Sequence, residues 1–535
     1  MKKITAAFIS IFIVVLTFSI PNYNAHAAAA AQTETRAVWM STVYNIDWPK
    51  TINPKQELSE DFDLLQRIGF NTVYFQVRSM GDALYPTSYA PWSKYLTGTL
   101  GKDPGYDPLA YAIAESKKRN LQLHAWFNPF RISDSASFDK NDYLSKLPDG
   151  NKLKDNPQWL VTYANYTMIN PGIPEARAYV IDTIMDVVNR YDIAGVHLDD
   201  YFYPYPKTGY EFNDSKEFNL YGNGMTLEDW RRDNVNKFVK DLNSKIKSSN
   251  KNIKFGISPF GIWKNSPAEG GSNTNGLQSY YATYSDSVKW VKNNWVDYIV
   301  PQVYWGVGNN AADFERIVKW WNETVRGTNV NLIIGQAAYK LGTEFSASDE
   351  IINQIKLIRT LDNVSGDSLF SFSQIKDDKL GLRTKLDSLY NHEWSSIGNQ
   401  WYLFNTHTGE KYKGWMLDMG TWYYLDTASG AMKIGWLSDR GTWYYLDPAS
   451  GGMKTGWLLY NGNWYYLNAS GGMQTSWSLI RGVWYYFKPS GEMSKGWVLY
   501  NKKWYYLDPS SGAMRTGKVL YKGKWYYFRS DGSMI

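Results

Sequence analysis

Between residues 35 and 374, short apolar runs alternate with longer stretches in which apolar side chains recur three or four positions apart. The short runs predict strands at 35–42 (TRAVWMST), 72–78 (TVYFQVR), 122–128 (QLHAWFN), 195–201 (GVHLDDY), 254–260 (KFGISPF), 298–305 (YIVPQVYW), 331–339 (NLIIGQAAY) and 366–374 (GDSLFSFSQ). The longer stretches predict helices. Val235, Phe238, Val239, Leu242 and Ile246 share one helical face behind the capping residue Thr226, and Pro174 opens a helix that runs to about Tyr191. Eight strand–helix units in roughly 360 residues predict an α/β fold, a (β/α)8 TIM barrel over residues 28–396. No glycine-rich phosphate loop follows an early strand, which argues against an open doubly wound sheet.

From residue 397 to 535 the pattern changes. WYY or a variant of it recurs at Trp401, Trp422, Trp443, Trp464, Trp484, Trp504 and Trp525, and S-G-x-M-x-x-G-W stretches such as SGAMKIGW (429–436) lie between them. Seven units of about 20–21 residues follow from that spacing. WYYL alternates its side chains as a strand does, and Arg440-Gly441, Asn461-Gly462 and Lys522-Gly523 supply the positive φ that a tight hairpin needs. A lone hairpin is marginal, so the units must stack into a β-hairpin solenoid.

Composition sharpens this outline. The chain opens with MKK, an apolar run and AHA, so residues 1–27 read as a secretory signal peptide, with no membrane attachment once it is removed. There is no cysteine, so the cores alone must hold an exported chain together. The formal charge is +6, or +4 without Lys2 and Lys3. Residues 397–535 hold 15 Lys+Arg against 8 Asp+Glu, a balance of +7, which leaves residues 28–396 near −3. Such a tail suits an anionic polymer, and the dispersed basic residues of an exported chain argue against nucleic acid. The same 139 residues contain 12 Trp and 17 Tyr. That excess over what a core needs predicts exposed stacking faces for a quaternary ammonium group or a sugar.

In the barrel, the parity that turns aliphatic residues toward the helices turns Tyr74, Gln76, Arg78, His124, Trp126, Asn128, His197, Asp199, Ser258, Gln302 and Tyr304 inward. So polar a set predicts a ligand cleft, since unpaired buried polar groups cost free energy. Arg78, Gln76, Trp126, Asn128, His197, Tyr201, Gln302, Tyr304 and Trp305 are the expected substrate-binding residues. Asp199 and Asp200 end the fourth strand, and both face the cleft if the strand breaks at Asp199. Two carboxylates held close push their pKa values apart into one acid and one anion, which glycoside cleavage requires. We expect Asp200 as the acid and Asp199 as the stabiliser, with the exchanged roles open. A substrate-assisted variant, in which an N-acetyl group attacks, also suits an adjacent pair. Asp82, Glu211 and Glu217 are reserve acidic partners. No cofactor is expected. His197, Asp199 and His124 as a metal set, and a non-catalytic glycan-binding adaptor, are the rivals.

The repeats resemble the choline-binding-type cell-wall repeats of Gram-positive bacteria. That resemblance implies ligand cages between successive hairpins, built from residues such as Trp436, Trp443, Tyr445, Met453, Trp457, Trp464, Tyr466 and Met473, for choline or a wall sugar. Lys518 stands where other units have Trp, and Leu403 replaces a Tyr in the first unit, so both ends depart from the pattern. The segments TRAVWMST, NPGIPEARAYV, YDIAGVHLDDYFYP, GISPFGIWKN and DYIVPQVYW resemble glycosyl-hydrolase-like family ten; Ala194 departs from it. This second resemblance implies a TIM barrel, glycosidase-type activity on bacterial envelope glycans, and Asp199 and Asp200 as the catalytic pair. The combined expectation is a secreted, wall-attached glycoside hydrolase acting on peptidoglycan glycan strands, on stretches lacking stem peptides.

Overall fold

The computed structural model describes residues 34–535 apart from 250 and 407, and the expected signal peptide, residues 1–27, lies outside the described residues. Eight parallel strands close into a barrel: β1 Thr35–Met40, β2 Thr72–Arg78, β3 Gln122–Phe127, β4 Gly195–Leu198, β5 Lys254–Ile257, β6 Tyr298–Ile299, β7 Asn331–Gln336 and β8 Val364–Leu369. Their order around the barrel is that of the chain, with β8 pairing back onto β1. Each strand is followed by a helix: α1 Pro54–Ile68, α2 Pro108–Lys118, α3 Pro174–Arg190, α4 Leu227–Ser248, α5 Ser287–Lys292, α6 Phe314–Val325, α7 Asp349–Ile358 and α8 Leu382–Asn391. The expected α/β barrel is therefore the observed one, with strands a few residues shorter than their apolar runs.

Local chemistry fixes the helices as the sequence leads one to expect. Thr226 accepts a hydrogen bond from Asp229 N at 3.1 Å at the start of α4, and Pro174 occupies the first turn of α3. The continuous core lies between strands and helices, where Val73, Phe75, Val196, Leu198, Phe255 and Ile257 meet the apolar faces of the helices. A second, smaller cluster fills the barrel itself: Ala37, Trp39, Tyr74, Trp126, Tyr298, Val300 and Ile333. Two glycines make room for it. A Cβ on Gly195 would lie 2.3 Å from His124 Nδ1, and one on Gly256 would lie 2.2 Å from the Tyr298 ring.

Seven two-stranded antiparallel hairpins follow, the first pairing His392–Ile397 with Gln400–Asn405 and the last Gly517–Tyr521 with Lys524–Phe528. The array begins at His392 rather than at 397, because the opening strand, HEWSSI, lacks the Gly-Trp that opens most later units. Arg440-Gly441, Asn461-Gly462 and Lys522-Gly523 all hold positive φ at the hairpin turns. Successive hairpins interlock. The leading Trp of one packs on the first Tyr of the next, at 4.8 Å for Trp415–Tyr444, 5.0 Å for Trp436–Tyr465 and 4.9 Å for Trp457–Tyr485. Among the described residues no helix is long and apolar enough to cross a membrane.

Candidate active site

β4 ends at Leu198, and the chain turns at once, with Phe202 N donating to Asp200 O at 3.0 Å. The early break removes the alternation that would otherwise send neighbouring side chains apart, so Asp199 and Asp200 both line one cleft at the C-terminal end of the barrel. The cleft holds about 250 Å³, just below the ~300–1,000 Å³ usual for ligand pockets. Opposite the two aspartates stand Trp39 and Phe370, and the remaining lining includes Ile46, Gln76, Trp126, Asn128, Arg131, Tyr201, Ser258, Gln302, Tyr304 and Tyr339.

Both carboxyl groups are buried. Burial and the neighbouring charge of Asp200 push Asp199 up to about 7. Burial also raises Asp200, to about 6, but the Tyr205 hydroxyl donates to its carboxylate and holds it lower. Asp199 in turn accepts from Asn128 Nδ2 and, at 3.3 Å, from Tyr201 N. Asn128 is fixed from behind by Gln76 Nε2 at 2.8 Å. The other amide atom of Gln76 accepts from Ser41 Oγ, Thr42 N and Val43 N at 2.9–3.1 Å. Arg131 donates to Ser79 O at 2.9 Å and lies 4.7 Å over the Tyr201 ring, leaving its charge close enough to favour both carboxylates. The Trp126 indole N–H is buried beside Asp199 but not aligned for a hydrogen bond to it.

Beneath the pair lies a pillar of stacked rings. Tyr74 stacks on His197 at 4.0 Å. Trp39 Nε1 donates to His197 Nε2 at 3.0 Å, so His197 carries its hydrogen on Nδ1, which faces Tyr298 Oη at 3.2 Å. Tyr298 Oη then donates to His124 Nδ1 at 2.7 Å. Burial keeps both imidazoles neutral, with His124 down at about 3 and His197 also well below its ordinary value. Among the described residues no three His, Asp or Glu side chains are grouped to hold a metal ion.

Of the expected substrate-binding residues, the fold gathers Gln76, Trp126, Asn128, Tyr201, Gln302 and Tyr304 at the cleft. It places three elsewhere. The ladder from β2 to β3 shifts register between Gln76 and Arg78, and buried Arg78 turns toward Asp82 O, at 3.5 Å. His197 lies below the floor, and Trp305 packs edge-on against Phe260 at 5.5 Å. Asp82 caps its own loop through Met80 N, Glu211 is exposed, and Glu217 accepts from Asn170 Nδ2. The aromatic wall of Trp39 and Phe370 went unread in the sequence, as did Tyr339 beside it. The inward parity of TRAVWM pointed to Trp39, but Phe370 and Tyr339 lie beyond the ends of β8 and β7, where strand periodicity carries no signal.

The array offers a second site. Trp436 and Trp443 meet at 80° with 6.4 Å between ring centres, Trp457 and Trp464 at 88° and 6.1 Å, forming open aromatic corners. Trp443, Trp457 and Trp464 are each about 40% exposed or more. Tyr445 and Tyr466 pack on the leading Trp of their own hairpins at 5.1 and 5.2 Å, and Tyr445 is buried. Met473 N donates to Trp443 O at 2.8 Å, and the thioethers of Met453 and Met473 lie against Gly471 and Gly491. In the last unit Lys518 Nζ sits 4.2 Å over Trp525, where the other units place a second ring.

Residues 34–351 match the family described as glycosyl hydrolase-like 10. Residues 392–437, 433–476 and 474–518 match the choline-binding repeat, and 519–534 the putative cell wall binding repeat. The chain is similar to the glycosyl hydrolase YngK of Bacillus subtilis, at 43% identity over 400 residues, 72% of this chain and 77% of that one. It is similar to the glycosyl hydrolase DigH of Escherichia coli, at 36% identity over 362 residues, 63% of this chain and 82% of that one. A structure of choline binding protein F from Streptococcus pneumoniae, solved in the presence of a peptidoglycan analogue, is 40% identical. That match covers 26% of this chain and 51% of the other, with a TM-score of 0.25.

Proposed function

The chain belongs to the glycosyl hydrolase-like 10 family and carries choline-binding repeats, and from that premise we propose that it is a secreted, wall-attached glycosidase that cuts peptidoglycan glycan strands. The observation that carries this reading is the buried pair at the end of β4: two adjacent carboxyls, both raised, opening into one cleft. The pair holds one proton near neutral pH. Asp199, raised by burial and by the charge of Asp200, keeps it and donates it to the leaving oxygen. Asp200, held anionic by Tyr205, stabilises the sugar cation or orients an N-acetyl group that attacks it. This assignment exchanges the roles expected from the sequence, and the reason is electrostatic, since a hydroxyl donor is fixed on Asp200. The aromatic wall facing the pair supplies apolar surface for a sugar ring. The repeats hold the enzyme on wall polymer through choline or a sugar seated in the Trp corners, which raises the local concentration of substrate.

Purified peptide-free glycan strands, digested by the full chain and read by mass spectrometry, test this. Cleavage products should form with the wild type, and Asp199→Asn and Asp200→Asn should each lower the rate by about 10³-fold or more. Products formed at an undiminished rate by both variants would remove the pair from the chemistry.

A further inference from the structure

We propose that Tyr44 and Tyr339 are stacking subsites that carry a glycan strand across the cleft on either side of the carboxylate pair, an inference that rests on the glycosidase reading above. Both rings are exposed, Tyr44 by 59% and Tyr339 by 44%, and neither is loose. The Tyr44 hydroxyl donates to Asp134 Oδ2 at 2.7 Å, and its ring meets Tyr95 edge-on at 5.8 Å. Tyr339 meets Tyr304 at 5.8 Å and Phe370 at 6.0 Å, both edge-on, and its backbone N–H donates to Phe370 O. An apolar ring fixed by its edge and open on a face is a ready surface for a pyranose, because its orientation is already set and little rotamer freedom remains to be lost on binding.

Their positions follow from the order of strands in the barrel. Asp199 and Asp200 end β4, and Phe370 follows β8, the strand directly opposite. Tyr44 follows β1 but leans on Tyr95, from the loop after β2, and on Asp134, beyond β3. Tyr339 follows β7 and leans on Tyr304, beyond β6, and on Phe370. The two rings therefore stand at the two ends of a line that runs between the carboxylates and the facing aromatic wall. Val43 and Ile46, which flank Tyr44 in sequence, line the cleft itself, as does Tyr339, so the surface is continuous. The β1 loop also carries local strain: Tyr44 and Asn45 have φ of 54° and 52°, in the left-handed region that bulky side chains avoid. Such strain persists where the surroundings dictate one conformation, and it concentrates at ligand clamps. A cleft of about 250 Å³ leaves most of a polymer outside, and these rings are where the next residues of the strand would lie.

The test uses the full chain, peptide-free glycan strands fractionated by length, and the variants Tyr44→Ala, Tyr339→Ala and both together, with Tyr44→Phe as the ring-preserving control. The loss in kcat/KM for each alanine variant should grow with strand length. On the longest strands it should be roughly tenfold greater than on the shortest cleaved fragment, carried by KM, with near-multiplicative loss in the double variant. Tyr44→Phe should retain most of the activity. Losses equal at every length, or none, would overturn the subsites while leaving the carboxylate chemistry intact. If the wild type cleaves no strand, the parent reading fails instead. Strand affinity, compared between the wild type and the double variant with the repeat ligand present in excess, then decides the subsites: weakened binding supports them and equal binding overturns them.

Discussion

At the scale of single residues, the proposed chemistry rests on two aspartates that ordinary solvation would leave equivalent. Their environments separate them. Tyr205 donates to Asp200, and the two groups titrate as a pair with values of about 6 and 7. In the proposed mechanism the active form carries Asp200 charged and Asp199 protonated, so kcat/KM should fall below about pH 6 and above about pH 7. Tyr205→Phe removes the donor that favours the Asp200 anion, which raises its pKa and should move the acid limb of the pH–rate profile upward by about one unit. A limb that stays in place while the rate falls would make Tyr205 a packing residue only. Stability carries the same signature. A folded-state pKa raised above the unfolded value favours the fold at low pH, and that contribution is lost as the pH climbs through about 7. Asp199→Asn escapes the loss. Its unfolding free energy relative to the wild type, from urea unfolding, should rise between about pH 4 and pH 8 by on the order of a few kcal/mol. A constant difference across that range would mean that Asp199 is not desolvated in solution.

At the scale of elements, the barrel depends on glycines that the hydrophobic pattern does not mark. Gly256 in β5 leaves the space that the Tyr298 ring fills, and Tyr298 links His124 to His197 below the catalytic strand. Gly256→Ala must push that ring aside and should destabilise the fold by about 1–3 kcal/mol, with activity reduced in the fraction that remains folded. Urea unfolding followed by tryptophan fluorescence measures the first effect. Much of this architecture could be read in advance, because each barrel strand is an apolar run and each hairpin carries its aromatic strand and turn glycine. The reading failed where one residue breaks a period. The register shift after Gln76 turns Arg78 out of the cleft. The end of β4 at Leu198, by contrast, is the strand break that both aspartates need to face the cleft. Tyr205 and Tyr339 act from loops, where side-chain direction is set by packing across the barrel rather than by spacing along the chain.

At the scale of the whole molecule, the barrel passes into the array with no linker: α8 ends at Asn391 and the first hairpin begins at His392. Tyr390 O and Asn391 O accept from Thr406 Oγ1 and Thr406 N, at 3.0 and 2.9 Å, which ties the hairpin back onto the helix. Asp418 of the second hairpin is buried and accepts from His392 Nδ1 at 2.9 Å and from Trp394 Nε1 at 2.8 Å, while Met419 packs against the barrel core. Thr406 and Met419 thus hold the array on the barrel, and Asp418 locks the second hairpin onto the first, so the junction is a clamp. Under the proposed function, a flexible tether would let the protein sweep a volume of wall, whereas this clamp would confine it to strands at one standoff from the polymer the repeats hold. Asp418→Ala removes both acceptors and leaves the His392 and Trp394 donors without a partner, at a cost of about 1–3 kcal/mol. The clamp should then loosen, so that small-angle scattering of the variant shows a larger radius of gyration and a broader distance distribution than the wild type, and protease cuts the chain near residue 392 sooner. Activity on soluble strands should stay near that of the wild type, because the cleft is remote from Asp418, while release of fragments from intact wall should change with the altered reach. Scattering curves and cleavage rates that match the wild type would mean that the helix-to-hairpin contacts alone hold the two parts together.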